Sequence, residues 1–158
     1  MKREMYNAYA EQEGYNCFGC SPHNPYGLKC QFVDEGEYVT CRWSPSENYQ
    51  GFLNVLHGGI QATLIDEIAC WAIFAHSKTA GVTTDMQIKY RKAVYVDQGD
   101  IYLRAKVIKA NRRLVTAQVE LFNADNELAA EAEVVYMVYP EELARKKMNW
   151  PGIESFYK

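Results

Sequence analysis

The chain has 158 residues and a formal net charge of −3, with 48% apolar, 13% aromatic and 23% charged residues. This composition supplies a core for one domain and is not that of a disordered chain. The slight acidity argues against nucleic acid as a partner. The longest apolar run, residues 60–75, is too short to span a membrane and contains two carboxylates.

The number of cysteines and the first residues of the chain indicate whether the protein is secreted or cytoplasmic. The chain has five cysteines, an odd number, and does not begin with a cationic stretch followed by an apolar run. A secreted protein would favour paired cysteines and a leader of that kind. We therefore expect reduced thiols and a cytoplasmic location.

The N-terminal part is predicted to be irregular before the first strands begin. Residues 1–14 are polar with scattered aromatics and fit either a short helix or a loose arm. Residues 17–28 contain two prolines and two glycines, which indicate a structured loop. Residues 28–33 and 38–43 flank a four-residue segment with a glycine, and this pattern predicts a β-hairpin.

The middle of the chain predicts one long helix, over residues 59–76. Twelve of the sixteen residues in 60–75 are apolar and lie on every face, so the helix should be buried. Period-two alternation then predicts strands with one buried face over 82–90, 101–107, 115–121 and 128–139. Short connections favour antiparallel neighbours, and a short solvated helix should follow Pro140.

One helix and about six antiparallel strands predict an α+β fold in which a curved sheet wraps one long central helix. No repeat or linker interrupts the sequence, so we expect a single domain over 1–158. Residues 1–27 would form an N-terminal arm and loop, and residues 140–158 a C-terminal extension. Open sheet edges favour a homodimer, with a dimer of dimers left open.

The start of the predicted helix and two adjacent carboxylates within it suggest chemistry. Unpaired N–H groups at a helix start bind developing negative charge, and Gly58-Gly59 would let a carbonyl group approach them closely. Asp66, two turns further on, could then attack or activate water at that carbon, as in acyl transfer. The alternative is a tight strand-to-helix turn, with Asp66 paired to a basic residue.

The segment His57-Gly58-Gly59, with Asp66 nine residues after the histidine, resembles the hotdog-fold acyl-CoA thioesterases of the phenylacetate-pathway type, in the 4-hydroxybenzoyl-CoA thioesterase superfamily. Three other stretches resemble the same family, and the likeness extends from about residue 17 to residue 139. These stretches are the loop 17–28, Gln50-Gly51-Phe52 and residues 81–86. The resemblance implies a hotdog fold, in which the sheet wraps the helix, and active sites shared between subunits.

The resemblance also implies roles for individual residues. Asp66 would be the catalytic carboxylate, as nucleophile or as general base, and the N–H of Gly58 would polarise the thioester carbonyl. His57 would position the loop or bond the substrate carbonyl. Thr83 falls where relatives carry a hydroxyl residue that orients water, supplied from the facing subunit. Gly59 is expected to contact substrate.

One position departs from the family pattern. Many relatives have an asparagine six residues before the histidine, where this chain has Gly51. Gln50 and Asn54 are the nearest amides, and either could replace it. Basic residues should also lie near the coenzyme A phosphates, and the candidates, with ordinary surface charge as the alternative, are Arg91, Lys92, Arg112 and Arg113.

Two weaker signals remain open. Cys17-x-x-Cys20, with His23 and Cys30 nearby, could form a zinc site. Only one C-x-x-C pair is present, whereas a structural site needs four well-spaced ligands, so a packed loop with free thiols and no metal is expected. Glu67 could be a second catalytic carboxylate, and pairing with a basic residue across a subunit interface is the preferred alternative.

The sequence thus predicts hydrolysis of an acyl-CoA thioester, with no cofactor beyond the coenzyme A of the substrate. Two rival functions remain: a non-catalytic acyl-CoA binding or sensing module, and a hotdog enoyl-CoA hydratase or dehydratase. No nucleic-acid or membrane partner is expected, and the acyl group is not determined by the sequence.

Overall fold

A computed structural model describes residues 1–158, which form one long helix packed against a seven-stranded antiparallel sheet. The sheet is not closed, and its strand order is β1-β2-β3-β5-β6-β7-β4. The strands are β1 (Arg3–Met5), β2 (Phe32–Asp34), β3 (Val39–Trp43), β4 (Gly81–Tyr90), β5 (Ile101–Asn111), β6 (Leu114–Phe122) and β7 (Leu128–Val138). The helices are α1 (Gly58–Ser77) and α2 (Glu141–Lys147). This arrangement confirms the predicted α+β hotdog architecture.

The N-terminal segment differs from the prediction of a helix or a loose arm. Arg3–Met5 form a strand that pairs with β2, and Met5 lies opposite Phe32. A strand of three residues carries too little alternation to be recognised by periodicity. It forms because the edge of β2 offers unpaired backbone groups, which a neighbouring segment can satisfy.

The core lies between α1 and the concave side of the sheet. Helix residues Leu64, Ile65 and Ile68 are buried against β5 and β6. Alternate residues of β6 and β7 point to the same side, among them Val119 and Val134. The apolar character of α1 on several faces is therefore explained by burial, as predicted.

The C-terminal part of α1 is covered by the chain's own tail. Trp150 and Phe156 pack on Phe74, with ring centroids 4.9 and 5.3 Å apart. Tyr9 joins the same aromatic cluster. None of the helices combines the length and the apolar character that a membrane crossing requires.

Helix burial predicts a contrast between two isoleucine substitutions. Ile68 on α1 is fully buried, whereas Ile108 on β5 is 45% exposed. Ile68→Ala should lower the free energy of unfolding by about 2–5 kcal/mol, because it leaves a cavity in the core. Ile108→Ala, the matched control, should cost less than about 1 kcal/mol. Urea unfolding measures both, and equal losses would contradict the proposed core.

Candidate active site

The carboxylate of Asp66 lies beneath the edge strand of the sheet. Asp66 is partly buried on α1, and its Oδ1 accepts hydrogen bonds from Thr83 Oγ1 at 2.8 Å and from Tyr136 Oη at 3.0 Å. No group of the chain donates to Oδ2. Two hydroxyls therefore hold one oxygen and leave the other free to act on water or on a carbonyl carbon.

A β-bulge aims Thr83 at this carboxylate. Pairing of β4 with β7 shifts register between Thr83 and Asp85, and the intervening Thr84 donates its hydroxyl to the Val135 carbonyl at 3.2 Å. A bulge of this kind redirects the neighbouring side chain. The resulting Thr83–Asp66 bond lies within one chain, whereas the resemblance implies a hydroxyl from a facing subunit.

Tyr136 is a site residue that the sequence analysis missed. Its hydroxyl also contacts the backbone carbonyl of Asp66, at 3.1 Å. Burial raises the pKa of Tyr136 well above its ordinary value, so the phenol stays protonated and serves as a donor. The available signal was a tyrosine between Val134 and Val138 on the buried face of a strand, because a buried phenol needs a hydrogen-bond partner.

The start of α1 presents an unpaired donor to solvent. Gly58 is exposed, and its N–H donates to no acceptor of the chain. Its carbonyl accepts a hydrogen bond from Tyr90 Oη at 2.7 Å, which fixes the helix start against the end of β4. A Cβ at Gly58 would lie 3.7 Å from the Tyr90 ring, an ordinary contact. A free N–H at the positive end of a helix can donate a hydrogen bond to a developing oxyanion.

His57 is the N-cap of α1, and its Nδ1 accepts the N–H of Gly59 at 2.8 Å. This bond assigns the neutral tautomer with the proton on Nε2, so that Nε2–H is a free donor next to Gly58. The N–H of Gly59 is thus used by the helix cap, and contact of Gly59 with substrate stays a prediction.

An open groove of about 370 Å³ lies beside the start of α1 and is lined by Gly51, Phe52, Val55, Leu56, His57 and Gly58.

The two candidate amides support the loop before His57. Gln50 Oε1 accepts the N–H of Asn54 at 2.8 Å, and Asn54 Nδ2 donates to Asp97 Oδ1 at 3.0 Å. Gly51 lies directly against the histidine, since a Cβ there would stand 3.3 Å from His57 Cδ2. At the position of the family's asparagine this chain therefore offers no side chain, and the imidazole fills the space beside it.

The four candidate cations fall into two groups. Arg91 is paired with Glu131 at 3.3 Å, and Lys92 is paired with Glu127, next to the Tyr90 end of β4. Arg112 and Arg113 have no acidic partner and form the turn between β5 and β6. Arg113 O accepts the N–H of Val138, near the Gly81 end of β4. The structure thus places the two groups at opposite ends of this strand, about 30 Å apart.

Glu67 does not share the environment of Asp66. Its carboxylate is enclosed by the N-terminal loop of its own chain, where Cys17 Sγ lies 3.7 Å and Trp71 Nε1 3.3 Å from Oε1. No lysine or arginine pairs with it. Burial, with a smaller contribution from the Cys17 charge, raises the pKa of Glu67 to about 7. Thiols and an indole N–H are therefore its neighbours within the chain, and a basic partner across a subunit interface stays a prediction.

Comparison with known proteins identifies the family of this chain. The sequence pattern of the thioesterase superfamily matches residues 53–130, which include α1 and β4. Acyl-coenzyme A thioesterase 13 of Mus musculus is 33% identical over 88 residues, which are 55% of this chain and 62% of that protein. The match thus spans less than two thirds of this curated relative.

Solved structures extend the comparison. Zebra fish thioesterase superfamily member 2 is 32% identical, with a TM-score of 0.63 over 70% of this chain and 82% of its own. A hypothetical thioesterase protein from Streptococcus pneumoniae, crystallised with coenzyme A, shares the fold at 20% identity, with a TM-score of 0.62 over 66% of this chain and 80% of its own. By its sequence pattern, its zebra fish relative and its helix-on-sheet architecture, this chain belongs to the hotdog-fold thioesterase superfamily.

Proposed function

We propose that this protein hydrolyses acyl-CoA thioesters, with Asp66 as the reacting carboxylate. The observation that carries the proposal is that two hydroxyls fix Oδ1 of Asp66 while Oδ2 has no partner. A carboxylate held in this way keeps a lone pair available and loses little conformational entropy on reaction. Similarity to acyl-coenzyme A thioesterase 13 supports the substrate class.

Two routes start from the same oxygen. As a general base, Asp66 takes a proton from water, whose oxygen attacks the thioester carbonyl. As a nucleophile, Asp66 attacks the carbonyl itself and forms a mixed anhydride that water then cleaves. In both routes the carbonyl oxygen becomes an oxyanion at the Gly58 N–H, the C–S bond breaks, and coenzyme A leaves as a thiol after gaining a proton.

Helix geometry supports a site that two chains share. Gly58 and Asp66 are eight residues apart on α1, which corresponds to about 12 Å along the axis. The two groups must both lie within about 3–3.5 Å of one thioester group. This separation favours a carbon held at the start of another chain's helix over one held at the start of the helix that carries Asp66. We propose a homodimer in which Asp66 of one subunit faces Gly58 of the other.

The edge strand β4 supports this assembly. It pairs only with β7, so ten residues of backbone are open to a further strand. Thr83, which contacts Asp66, and Tyr90, which contacts Gly58, lie towards opposite ends of β4. A twofold antiparallel pairing of two β4 strands places the Thr83 end of one against the Tyr90 end of the other. The same pairing brings the partner's unpaired Arg112 and Arg113 towards the Gly58 end, where coenzyme A phosphates could bind.

The cysteines bear on the cellular compartment in which the enzyme works. All five cysteines are free, three of them buried. Free thiols persist in a reducing environment, and we propose that the protein works in the cytoplasm.

Removal of the Asp66 charge tests the reaction. Asp66→Asn should lower kcat for thiol release from acyl-CoA by at least about 100-fold, because the amide can neither attack nor accept a proton. Asp125→Asn, an exposed loop control, should leave kcat unchanged. Thiol release is measured over short, long and aromatic acyl-CoAs. Turnover that survives in Asp66→Asn would refute the assignment, and hydration of an enoyl-CoA without thiol release would refute the reaction.

The two hydroxyls that hold Asp66 should contribute separately. Tyr136→Phe and Thr83→Ala each remove one hydrogen bond to a charged oxygen, and each should lower kcat by about 10- to 100-fold with little change in KM. A hydroxyl is restored in Thr83→Ser, which should recover most of the activity. Wild-type turnover in both deletion variants would show that Oδ1 needs no fixed position.

A matched pair of substitutions at Gly58 isolates its N–H. Proline is tolerated at the first position of a helix but has no N–H, so Gly58→Pro should keep the fold and lower kcat by about 100- to 1000-fold. Gly58→Ala keeps the N–H and makes only an ordinary contact with Tyr90, so it should stay within about tenfold of wild type. If Gly58→Ala were as inactive as Gly58→Pro, the loss of kcat would be due to steric crowding by the added side chain and not to the missing N–H.

Mixing two inactive variants tests the shared site. When Asp66→Asn and Gly58→Pro chains are refolded together in equal amounts, half of the dimers contain one chain of each kind. Each mixed dimer then has one intact site out of two, so activity should return to about a quarter of wild type. A mixture as inactive as its components would place the whole site in one chain.

A further inference from the structure

The face of α1 turned away from Asp66 carries a cluster that the proposed reaction does not use. It consists of Cys17 and Cys20 on the N-terminal loop and Glu67 on the helix. Their sulfur and carboxylate ligand atoms all lie within 4.8 Å of one another. From the sequence the cysteine pair lacked further ligands. The fold supplies one of them from a residue 47 positions after Cys20.

From this geometry we propose that Cys17, Cys20 and Glu67 bind a divalent zinc ion. A two-residue spacing between cysteines is common among zinc ligands, and carboxylate oxygen is an accepted third ligand. A tetrahedral ion with usual bond lengths holds a sulfur and an oxygen ligand about 3.6 Å apart. Cys17 Sγ lies 3.7 Å from Glu67 Oε1 and 3.8 Å from Oε2, so this pair already has the required separation.

The remaining ligand needs only a small movement. Two thiolates on one tetrahedral zinc are about 3.8 Å apart, so Cys20 Sγ must shift by at most about 1 Å from its present place. The loop that carries it is already seated on the helix, because a Cβ at Gly19 would overlap the Glu67 carboxylate. The cluster is therefore nearly formed without the ion.

Hydrogen bonds from neighbouring side chains support the ligands. Tyr15 Oη lies 3.0 Å and Asn7 Nδ2 3.5 Å from Cys20 Sγ, and Trp71 Nε1 donates to Glu67 Oε1 at 3.3 Å. Such bonds orient metal ligands and are typical of genuine sites. Asn7 and Trp71 are the donors in two of these contacts, and the Tyr15 hydroxyl can donate to Cys20 once that thiol is ionised.

Charge and space favour a cation at the same place. Glu67 is a partly buried carboxylate with no lysine or arginine partner in the chain, and a bound cation would offset the cost of removing its charge from water. A cavity of about 520 Å³ adjoins all three residues and is reached by solvent, so water can complete the tetrahedron. Both thiols bind as thiolates, and their protons pass to solvent.

The ion would fasten the N-terminal loop to α1. This loop is long and irregular. Cys17 forms hydrogen bonds with the middle of the helix through Glu67. A bound zinc would replace these weak S–H contacts with metal–ligand bonds and would stabilise the folded state by mass action.

The test uses the full chain, freed of metal by a chelator and kept reduced. Zn²⁺ affinity is measured by competition with a chromophoric chelator, and Co²⁺ is added separately as a spectroscopic probe. We expect one ion per chain with submicromolar affinity for zinc. The cobalt form should show near-ultraviolet thiolate charge transfer and the visible bands of a tetrahedral site. The thermal midpoint should rise when Zn²⁺ is added.

Variants assign the ligands. Cys17→Ser and Cys20→Ser should each weaken zinc binding by at least about 100-fold, since even supporting hydrogen bonds contribute 10- to 100-fold. Glu67→Gln keeps the shape of the side chain and should weaken binding while the thiolate bands remain. Cys41→Ala, a buried cysteine on β3 outside the cluster, is the control and should bind as wild type does.

Three results would overturn the proposal: no zinc binding by the reduced wild type, a cobalt spectrum without thiolate bands, or unchanged affinity in the Cys17→Ser/Cys20→Ser double variant. Each variant's fold is checked by circular dichroism without metal. Because binding and the thermal shift are read without substrate, failure of the zinc site would leave the proposed hydrolysis untouched.

Discussion

The fixed rise of an α-helix is the constraint on which the proposed site depends. Eight residues separate Gly58 from Asp66, and no side-chain rotation removes about 12 Å of helix. The donor at the helix start and the carboxylate two turns later therefore serve different ends of the strand beside them. In the proposed dimer each chain contributes one half to each of two sites, and the open edge of β4 is the feature that would join the chains.

The two adjacent carboxylates on α1 lie in different surroundings because a helix turns by about 100° per residue. Asp66 faces the sheet edge, where hydroxyl donors satisfy one oxygen in a partly exposed setting. Glu67 faces the N-terminal loop, where burial raises the pKa of its carboxyl group. The same helix thus carries, on opposite sides, the carboxylate proposed to react and the carboxylate proposed to bind zinc.

Much of the fold was predictable from the sequence because its signals are local. The apolar run of α1 and the alternation in β4 to β7 each extend over many residues, so burial periodicity identified them. The three-residue strand β1 was missed, since its existence depends on the free edge of β2 and not on its own pattern.

The site was predictable only in part. Asp66, His57 and Gly58 stand within one helix motif, and their spacing fixes their relative positions. Tyr136 is 70 residues from its partner, and its role follows from which strand lies over the helix. Likewise, the thiol environment of Glu67 depends on how a loop 50 residues away folds back, which no local pattern encodes.

The contact between Tyr90 and Gly58 has an electronic consequence for His57. The Tyr90 hydroxyl donates to the Gly58 carbonyl, and the N–H of that same peptide unit donates to His57 Nδ1. Hydrogen bonds arranged in series polarise one another, so electron density is drawn from the imidazole ring along this chain of groups. The exposed Nε2–H becomes a stronger donor as a result. The end of an edge strand thereby strengthens a hydrogen-bond donor that it does not touch.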